Sequence, residues 1–546
     1  MAVAFTINGG TVELAAGETL FEAATRLGVA VPSSCQKQGR CRECLVEIVA
    51  GAELLTARAR EEDHLKGGFR LACRARALDG ASGTVKAHTL RRAAMRIEDG
   101  AVNLPPAAGS VALDPAVTRA GDRIFLDGRE VDHRSGPIHG LAMDLGTTTI
   151  VVRCVELETG ATVATTAFEN PQRFGGSDVM ARIQFDTERP GRLLQRTLLG
   201  YLGRAIRSLP VAPESIYELV VVGNPTMRDL FFGLEVHSIG QKPYRSRTET
   251  AFRAGQIPTT ALTVPAAAFR LPLNLRARVY GLPLVGGHVG ADAAACLLAL
   301  EPHRSEALVA IMDIGTNTEL ILGNRHRLLA ASCPAGPAFE GRAIRCGMPG
   351  LDGAIARVSL ENDGRVRTDV IGGGPAEGIC GSGLIDLLSE LVRTGRMNAF
   401  GRFEDGATSF PVDAAREILF HESDANELAQ AKGANVAGLQ IVARRYGSPL
   451  AALERFYLAG GFGRHLDVAA ARRIGLVPNL DVSRIVQVGN ASIEGAAIAL
   501  RSVTRRRELE ELVTRIEHVE LETDPDFFDH FVSGCQFIPV EPEAVA

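Results

Sequence analysis

The sequence predicts a multidomain α/β protein. Its parts are a small N-terminal domain over residues 1–90, a linker over 91–137, and a large two-lobed domain over 138–546, with lobes of about 138–305 and 306–546. Three observations predict this. Four of the ten cysteines fall within the first 73 residues. One strand–turn–strand pattern occurs twice, about 170 residues apart. Between the cysteine group and the first copy lies a stretch with Pro105-Pro106, several Gly and Ala, and little periodicity. At about 150 residues per domain, 546 residues make three to four units.

The N-terminal segment reads as alternating strands. Residues 3–7, a turn at Asn8-Gly9-Gly10, and residues 11–14 form a β-hairpin pattern. Residues 18–27 read as a short helix, 31–39 as a polar loop, and 45–49 as a returning strand. Cys35, Cys41, Cys44 and Cys73 follow the spacing C-x5-C-x2-C, with 28 residues between the third and the fourth. The plant-type [2Fe–2S] spacing is C-x4-C-x2-C…C, one residue shorter in the first gap. Three ligands on one loop and a fourth from a distant segment suit a binuclear cluster near the surface. A four-cysteine structural zinc site is the alternative, but zinc knuckles use two C-x2-C pairs and only one is present. The segment resembles β-grasp ferredoxins of the adrenodoxin-like spacing, which makes these four cysteines the expected metal ligands. Lys37, Arg40, Arg42, Arg74 and Arg76 lie beside them in sequence. They read equally as solvated charge and as a rim for an acidic partner.

Residues 91–137 read mostly as a tether, apart from a hairpin near 122–131. The remaining cysteines, Cys154, Cys296, Cys333, Cys346, Cys380 and Cys535, are scattered and read as small buried hydrophobes. Lys and Arg number 59 against 64 Asp and Glu, a net charge of −5, which argues against a nucleic-acid or anionic-membrane binder. No run of 18 apolar residues is present, and residues 1–20 lack the basic and apolar regions of a secretory signal. The expected location is the cytoplasm.

The large domain carries the repeated pattern. Its first copy is Gly140-Leu-Ala-Met-Asp144-Leu-Gly146-Thr147-Thr148-Thr149; its second is Ile311-Met-Asp313-Ile-Gly315-Thr316-Asn317-Thr318-Glu319. Glycine lets backbone N–H groups approach phosphate oxygens, and threonine hydroxyls add donors. Aspartate sits where a hydrated Mg2+ bridges to the phosphates. A single Asp-x-Gly-Thr is weak, but two copies opening similar halves are far stronger. A third element, residues 456–463, is an apolar strand ending in Gly460-Gly461, where the chain can pass close under an adenine or ribose. No Walker A pattern is present.

These motifs resemble the actin/Hsp70/sugar-kinase (ASKHA) ATPase superfamily, in which each of two lobes supplies a phosphate hairpin. Two connecting helices are expected at residues 290–298 and 489–499, the second with small residues that permit close crossing. The resemblance implies Asp144 and Asp313 for water-mediated Mg2+ contact. It assigns phosphates to Gly146, Thr147, Thr148, Gly315, Thr316 and Asn317, and the nucleoside to Gly460 and Gly461. Asp292 is the first candidate for positioning water and Glu319 the second.

A ferredoxin ahead of this ATPase resembles the reductive activators of corrinoid enzymes over essentially the whole chain. The segments Asn170-Pro171-Gln172, Gly223-Asn224-Pro225-Thr226-Met227, Pro334-Ala335-Gly336-Pro337-Ala338-Phe339-Glu340-Gly341 and Gly378-Ile379-Cys380-Gly381-Ser382-Gly383 fit that family. The stretch 91–137 is too short for the extra domain of longer relatives, and Cys535 alone cannot make a second C-terminal cluster. A dimer-bridging cluster would require Cys333, Cys346 and Cys380 to be presented at a surface. The resemblance implies ATP-dependent conversion of cob(II)amide to cob(I)amide in a corrinoid protein of a methyltransferase system. The electron comes from an upstream low-potential donor through a [2Fe–2S] cluster, with ATP and Mg2+ as further cofactors, no nucleic acid or membrane partner, and room for a homodimer. The competing readings are an ATP-independent electron carrier on a degenerate ATPase fold and a small-molecule kinase with a redox-sensing domain. Intact Asp, Gly and Thr at both turns argue against the first.

Overall fold

Val3, Phe5 and Ile7 alternate with less buried neighbours, the period of a half-covered strand, and all three are buried. The structure is a computed structural model describing residues 3–542, apart from residues 16, 34, 36, 40, 41, 91–101, 106–111, 342, 362 and 363. Strand β1 (Val3–Ile7) turns through Asn8 and Gly9, at φ of 49° and 85°, into β2 (Gly10–Leu14). Two positive φ values in a two-residue turn match the twist of a hairpin. The Leu20–Arg26 helix opens on a reciprocal cap: the Thr19 side chain accepts the Glu22 N–H, and the Glu22 carboxylate accepts the Thr19 N–H. Strands β3 (Leu45–Ala50), β4 (Phe69–Leu71) and β5 (Gly83–Thr89) complete a sheet of order β2-β1-β5-β3-β4, with β5 parallel to β1.

The hairpin expected near 122–131 is present, but the rest of the expected tether needs correction where it is described. Strands β6 (Val117–Ala120), β7 (Arg123–Leu126) and β8 (Arg129–His133) form an antiparallel sheet. Val117 and Ile124 are fully buried in a core shared with the large domain. Asp132 accepts the Tyr217 hydroxyl at 2.6 Å and the Asn274 amide at 2.9 Å. Upstream, the Val102 N–H bonds Val488 O at 2.9 Å, and Asp114 accepts the Thr504 N–H at 3.0 Å. These strands are four or five residues long, with charged outer faces, so their buried positions do not stand out as a period. Residues 91–101 and 106–111 of the expected linker lie outside the described residues.

The first lobe has the sheet order β11-β10-β9-β12-β14-β13. Its strands are β9 (His139–Leu145), β10 (Thr149–Glu156), β11 (Thr162–Glu169), β12 (Ile216–Val222), β13 (Leu262–Pro265) and β14 (Arg278–Gly281). The second lobe begins with β15 (Val309–Ile314), β16 (Thr318–Gly323) and β17 (Leu328–Cys333). It then adds a small sheet of β18 (Ala354–Leu360), β19 (Val366–Val370) and β20 (Gly378–Ile379), and a hairpin of β21 (Ser409–Asp413) and β22 (Ile418–His421). Strands β23 (Arg455–Ala459), β24 (Ile485–Gly489) and β25 (Glu517–His518) close its main sheet in the order β24-β23-β15-β16-β17-β25. β9 and β15 have the same surroundings: an antiparallel hairpin partner on one side and a parallel strand, β12 or β23, on the other. The sequence repeat is therefore also a repeat of topology.

Two helices, Ala291–Leu300 and Ala491–Arg501, pack against each other between the sheets. A Cβ at Gly495 would run into the Ala295 carbonyl oxygen, so the backbones touch. The small domain docks on the first lobe. Arg204 pairs with Glu43, and the Tyr201 hydroxyl donates to Glu43 O at 2.9 Å. Arg173 pairs with Glu47 at 2.9 Å, and the His64 ring lies edge-on to Phe174. Among the described residues no helix is long and apolar enough to cross a membrane.

Candidate functional site

Each hairpin places an aspartate one residue before the end of its first strand: Asp144 in β9 and Asp313 in β15. A tight turn follows. A Cβ at Gly146 would lie 2.5 Å from Thr149 O, so the turn itself demands glycine. The two turns meet across a cavity of about 690 Å3. All the residues expected there line it: Asp144, Gly146, Thr147, Thr148, Asp292, Asp313, Gly315, Thr316, Asn317, Glu319, Gly460 and Gly461. The hydroxyls of Thr148 and Thr316, one from each lobe, are 3.3 Å apart. Gly460 has φ 87°, and a Cβ there would sit 2.8 Å from Asp313 Oδ1, whereas Gly461 opens onto free space.

The cavity gathers four acids, Glu319 buried and Asp144, Asp292 and Asp313 half-buried. Burial pushes Asp144 up to about 7, and Asp313 adds to this, while a hydrogen bond from Asn490 at 2.8 Å opposes it. Burial also pushes Asp292 up to about 7, reinforced by Asp144 and Asp313. Asp313 is raised by burial against hydrogen bonds from Cys296 and Ser492. Glu319 stands directly opposite Asp313 in the β15–β16 ladder, and burial with the charges of Asp292 and Asp313 raises it well above the ordinary range. Like charges placed this way destabilise one another. Among the described residues no three such groups stand close enough to hold a metal ion directly, so a divalent cation here would have to be held through its water shell.

Several residues of this site were not singled out by sequence reasoning. Glu340 accepts hydrogen bonds from both Thr148 and Thr316. Asn490, Ser492 and Cys296 hold the two hairpin aspartates. Asn170 and Asn224, motif residues without an assigned role, prove to be buttresses of the first hairpin. Asn170 caps a short turn through Oδ1, and its amide donates to Gly146 O at 2.8 Å. Asn224 caps the Pro225–Phe232 helix, and its amide donates to Thr147 Oγ1 at 3.0 Å. The fully buried Arg182 donates to Thr147 O at 2.6 Å. The available signal was Asn-Pro, an N-cap followed by proline in the first helical turn; nothing local shows where the free amide points.

At the cysteine site, Cys44 and Cys73 are buried with their sulfurs 3.3 Å apart, beyond the roughly 2.05 Å of a disulfide. The Cys73 thiol is lowered by the hydrogen bond from Cys44, helped by Arg74 and the Gly39 N–H and opposed by burial. Cys35 is half-buried and close enough to act on Cys73; Cys41 lies outside the described residues. Thiols favoured as thiolates are the donors an iron–sulfur centre needs. Arg74 and Arg76 of the expected basic rim are engaged within the domain, by Glu61 and Gln38 O and by Gly17 O respectively; Arg40 lies outside the described residues.

Comparison with known proteins adds identity to this geometry. Residues 5–78 match the family described as a 2Fe-2S iron-sulfur cluster binding domain, 139–305 the RACo middle region, and 307–545 the C-terminal domain of RACo, the ASKHA domain. The chain is 30% identical to the corrinoid activation enzyme RamQ of Eubacterium limosum over 448 residues, covering 77% of this chain and 73% of that protein. The chain belongs to the family of reductive corrinoid activators. A second relative of this activator is the [Co(II) methylated amine-specific corrinoid protein] reductase of Methanosarcina barkeri, 25% identical, covering 73% and 77% of the two chains. A solved structure of a reductive activator for corrinoid, iron-sulfur protein superposes with TM-score 0.71 at 28% identity, covering 98% of each chain.

Four of the activator's six scattered cysteines are buried as expected, while Cys346 and Cys535 are half-buried. Cys154, Cys296, Cys333 and Cys380 are buried, and burial pushes Cys154 and Cys346 up to about 12. A Cβ at Gly438 would run into the Cys333 sulfur, so that thiol faces the interior, not a partner.

Proposed function

We propose that this protein is an ATP-dependent reductive activator, which converts the cob(II)amide of a corrinoid protein in a methyltransferase system to cob(I)amide. Cys35, Cys41, Cys44 and Cys73 would hold a [2Fe–2S] centre, which would supply one-electron chemistry when bound, with an upstream low-potential donor as the source of the electron. A plant-type centre lies near about −400 mV, and each ~59 mV uphill for one electron costs about 1.4 kcal/mol. Nucleotide energy covers that difference through closure of the two lobes.

Within the cavity, Thr147, Thr148, Gly315, Thr316 and Asn317 bind the phosphates, with Gly146 shaping the first turn. Asp144 and Asp313 orient the water shell of Mg2+, and Asp292 positions the attacking water, with Glu319 as the second candidate. Gly460 and Gly461 receive the nucleoside. This preorganised set stabilises charge on the transferring phosphoryl group. The observation that carries the reading is the meeting of Thr148 and Thr316 at 3.3 Å, each beside its own cavity-lining aspartate. Two lobes that contribute equivalent donors to one point suit a ligand that bridges them.

The test is anaerobic mixing of the reconstituted protein with candidate corrinoid proteins, with and without ATP, while cob(I)amide absorbance is followed. Reduction only with ATP supports the reading, and ATP-independent reduction overturns the coupling. Asp313→Ala abolishes ATP turnover and leaves the cluster spectrum intact; normal turnover in that variant removes the site assignment.

A further inference from the structure

Glu340 joins the two hairpins. Its Oε1 accepts the Thr316 hydroxyl at 3.0 Å, and its Oε2 accepts the Thr148 hydroxyl. One carboxylate thus clamps a threonine from each lobe. A hydroxyl has a single proton to donate. Thr148 and Thr316 can give theirs to Glu340 or to phosphate oxygens, not to both, and two anions on the same donors repel.

The chain around Glu340 transmits its position. Glu340 ends a 3-10 turn, Pro337–Glu340, whose Phe339 ring lies parallel to Phe462 at 5.8 Å. Gly341 follows at φ 76°, and a Cβ there would sit 2.6 Å from Met348 O. A Cβ at Gly347 would run into Gly341 O. Gly341, Gly347 and Met348 therefore interlock at backbone distance, and close packing of this kind moves as a unit instead of deforming. Ala343, Ile344 and Met348 line a second cavity of about 680 Å3, where Glu47, Val49 and Phe69 of the small domain also stand.

We infer that Glu340 is a latch displaced by phosphate. Nucleotide phosphates take over the Thr148 and Thr316 hydroxyls, Glu340 withdraws, and the interlocked loop after it shifts within the cavity that it shares with β3 and β4 of the small domain. The small domain thereby senses nucleotide without touching it. The inference rests on the nucleotide reading above and adds its regulation.

The experiment uses the full-length protein with its iron–sulfur centre, a non-hydrolysable ATP analogue with Mg2+, and adenosine as the phosphate-free control. Glu340→Ala binds the analogue about tenfold tighter, about 1.4 kcal/mol, with adenosine binding unchanged. Glu340→Gln, which keeps an acceptor and loses the charge, lies between. By hydrogen exchange, the analogue raises exchange of residues 343–348 and 45–50 in the wild type, while in Glu340→Ala these segments start at the raised level and stay there. Weaker analogue binding by Glu340→Ala, or unchanged exchange in a wild type that binds the analogue, overturns the latch and leaves the nucleotide reading standing. A wild type that binds no analogue overturns both.

Discussion

Asp144 is held at a cost to the fold, and Asp144→Asn should recover part of it. Burial pushes this carboxyl up to about 7, against an unfolded value of about 3.9. Between these values the unfolded chain has lost the proton and the native protein keeps it. The unfolded state binds fewer protons there, so stability falls as pH rises from about 4 to about 7, by at most about 1.4 kcal/mol per unit. The accumulated loss is at most about 4 kcal/mol, complete above the native value. Asparagine does not titrate, and its carbonyl oxygen can still accept from Asn490, which now donates to Asp144 Oδ2 at 2.8 Å. Its new buried amide costs about 1–3 kcal/mol if it finds no partner. The net gain at pH 8 is about 1–3 kcal/mol, a rise of several degrees in Tm; it shrinks as pH falls and becomes a loss of about 1–3 kcal/mol near pH 4, where only the cost of the amide remains. ATP turnover is lost in the same variant. Thermal unfolding of both proteins without nucleotide or divalent cation, from pH 4 to 8, tests this. A variant no more stable than wild type at pH 8 would refute the claim that a buried carboxylate is being held against its solvation.

Three other perturbations have defined outcomes. Gly495→Ala puts a methyl group into the Ala295 carbonyl oxygen, which should cost at least about 3 kcal/mol; Tm and ATP turnover should fall together. Lys432 is buried and its amine is lowered to about 7 by burial. The unfolded chain keeps that proton up to about 10.4, so wild-type stability rises with pH from about 7 to 10. Lys432→Met should remove that slope and be at least as stable at pH 7, as read by Tm against pH. Cys73→Ser should bleach the visible absorbance of the iron–sulfur centre while ATP turnover continues; an unchanged spectrum would remove Cys73 from the ligand set.

The phosphate turns were readable because their chemistry is local: an aspartate, a glycine and threonines within five residues define both the backbone turn and its donors. The same holds for three of the four cysteines and for the Asn8-Gly9 hairpin. Spacing along the chain is enough wherever the interacting groups are neighbours along the chain. Glu340 stands 192 residues from Thr148, and Asn490 stands 346 from Asp144, so no local pattern can pair them. Their meeting depends on how closely the lobes cross, which Gly495 sets through one backbone contact. Within residues 117–133 the hairpin near 122–131 is legible in the sequence, but its anchoring is not, because Val117 and Ile124 find their core only when the first lobe is present. Composition and motif thus carry the chemistry each segment can perform. Long-range packing selects which carboxylates are desolvated together, which hydroxyls share an acceptor, and where the cysteine domain rests, because burial and proximity are properties of the assembled chain.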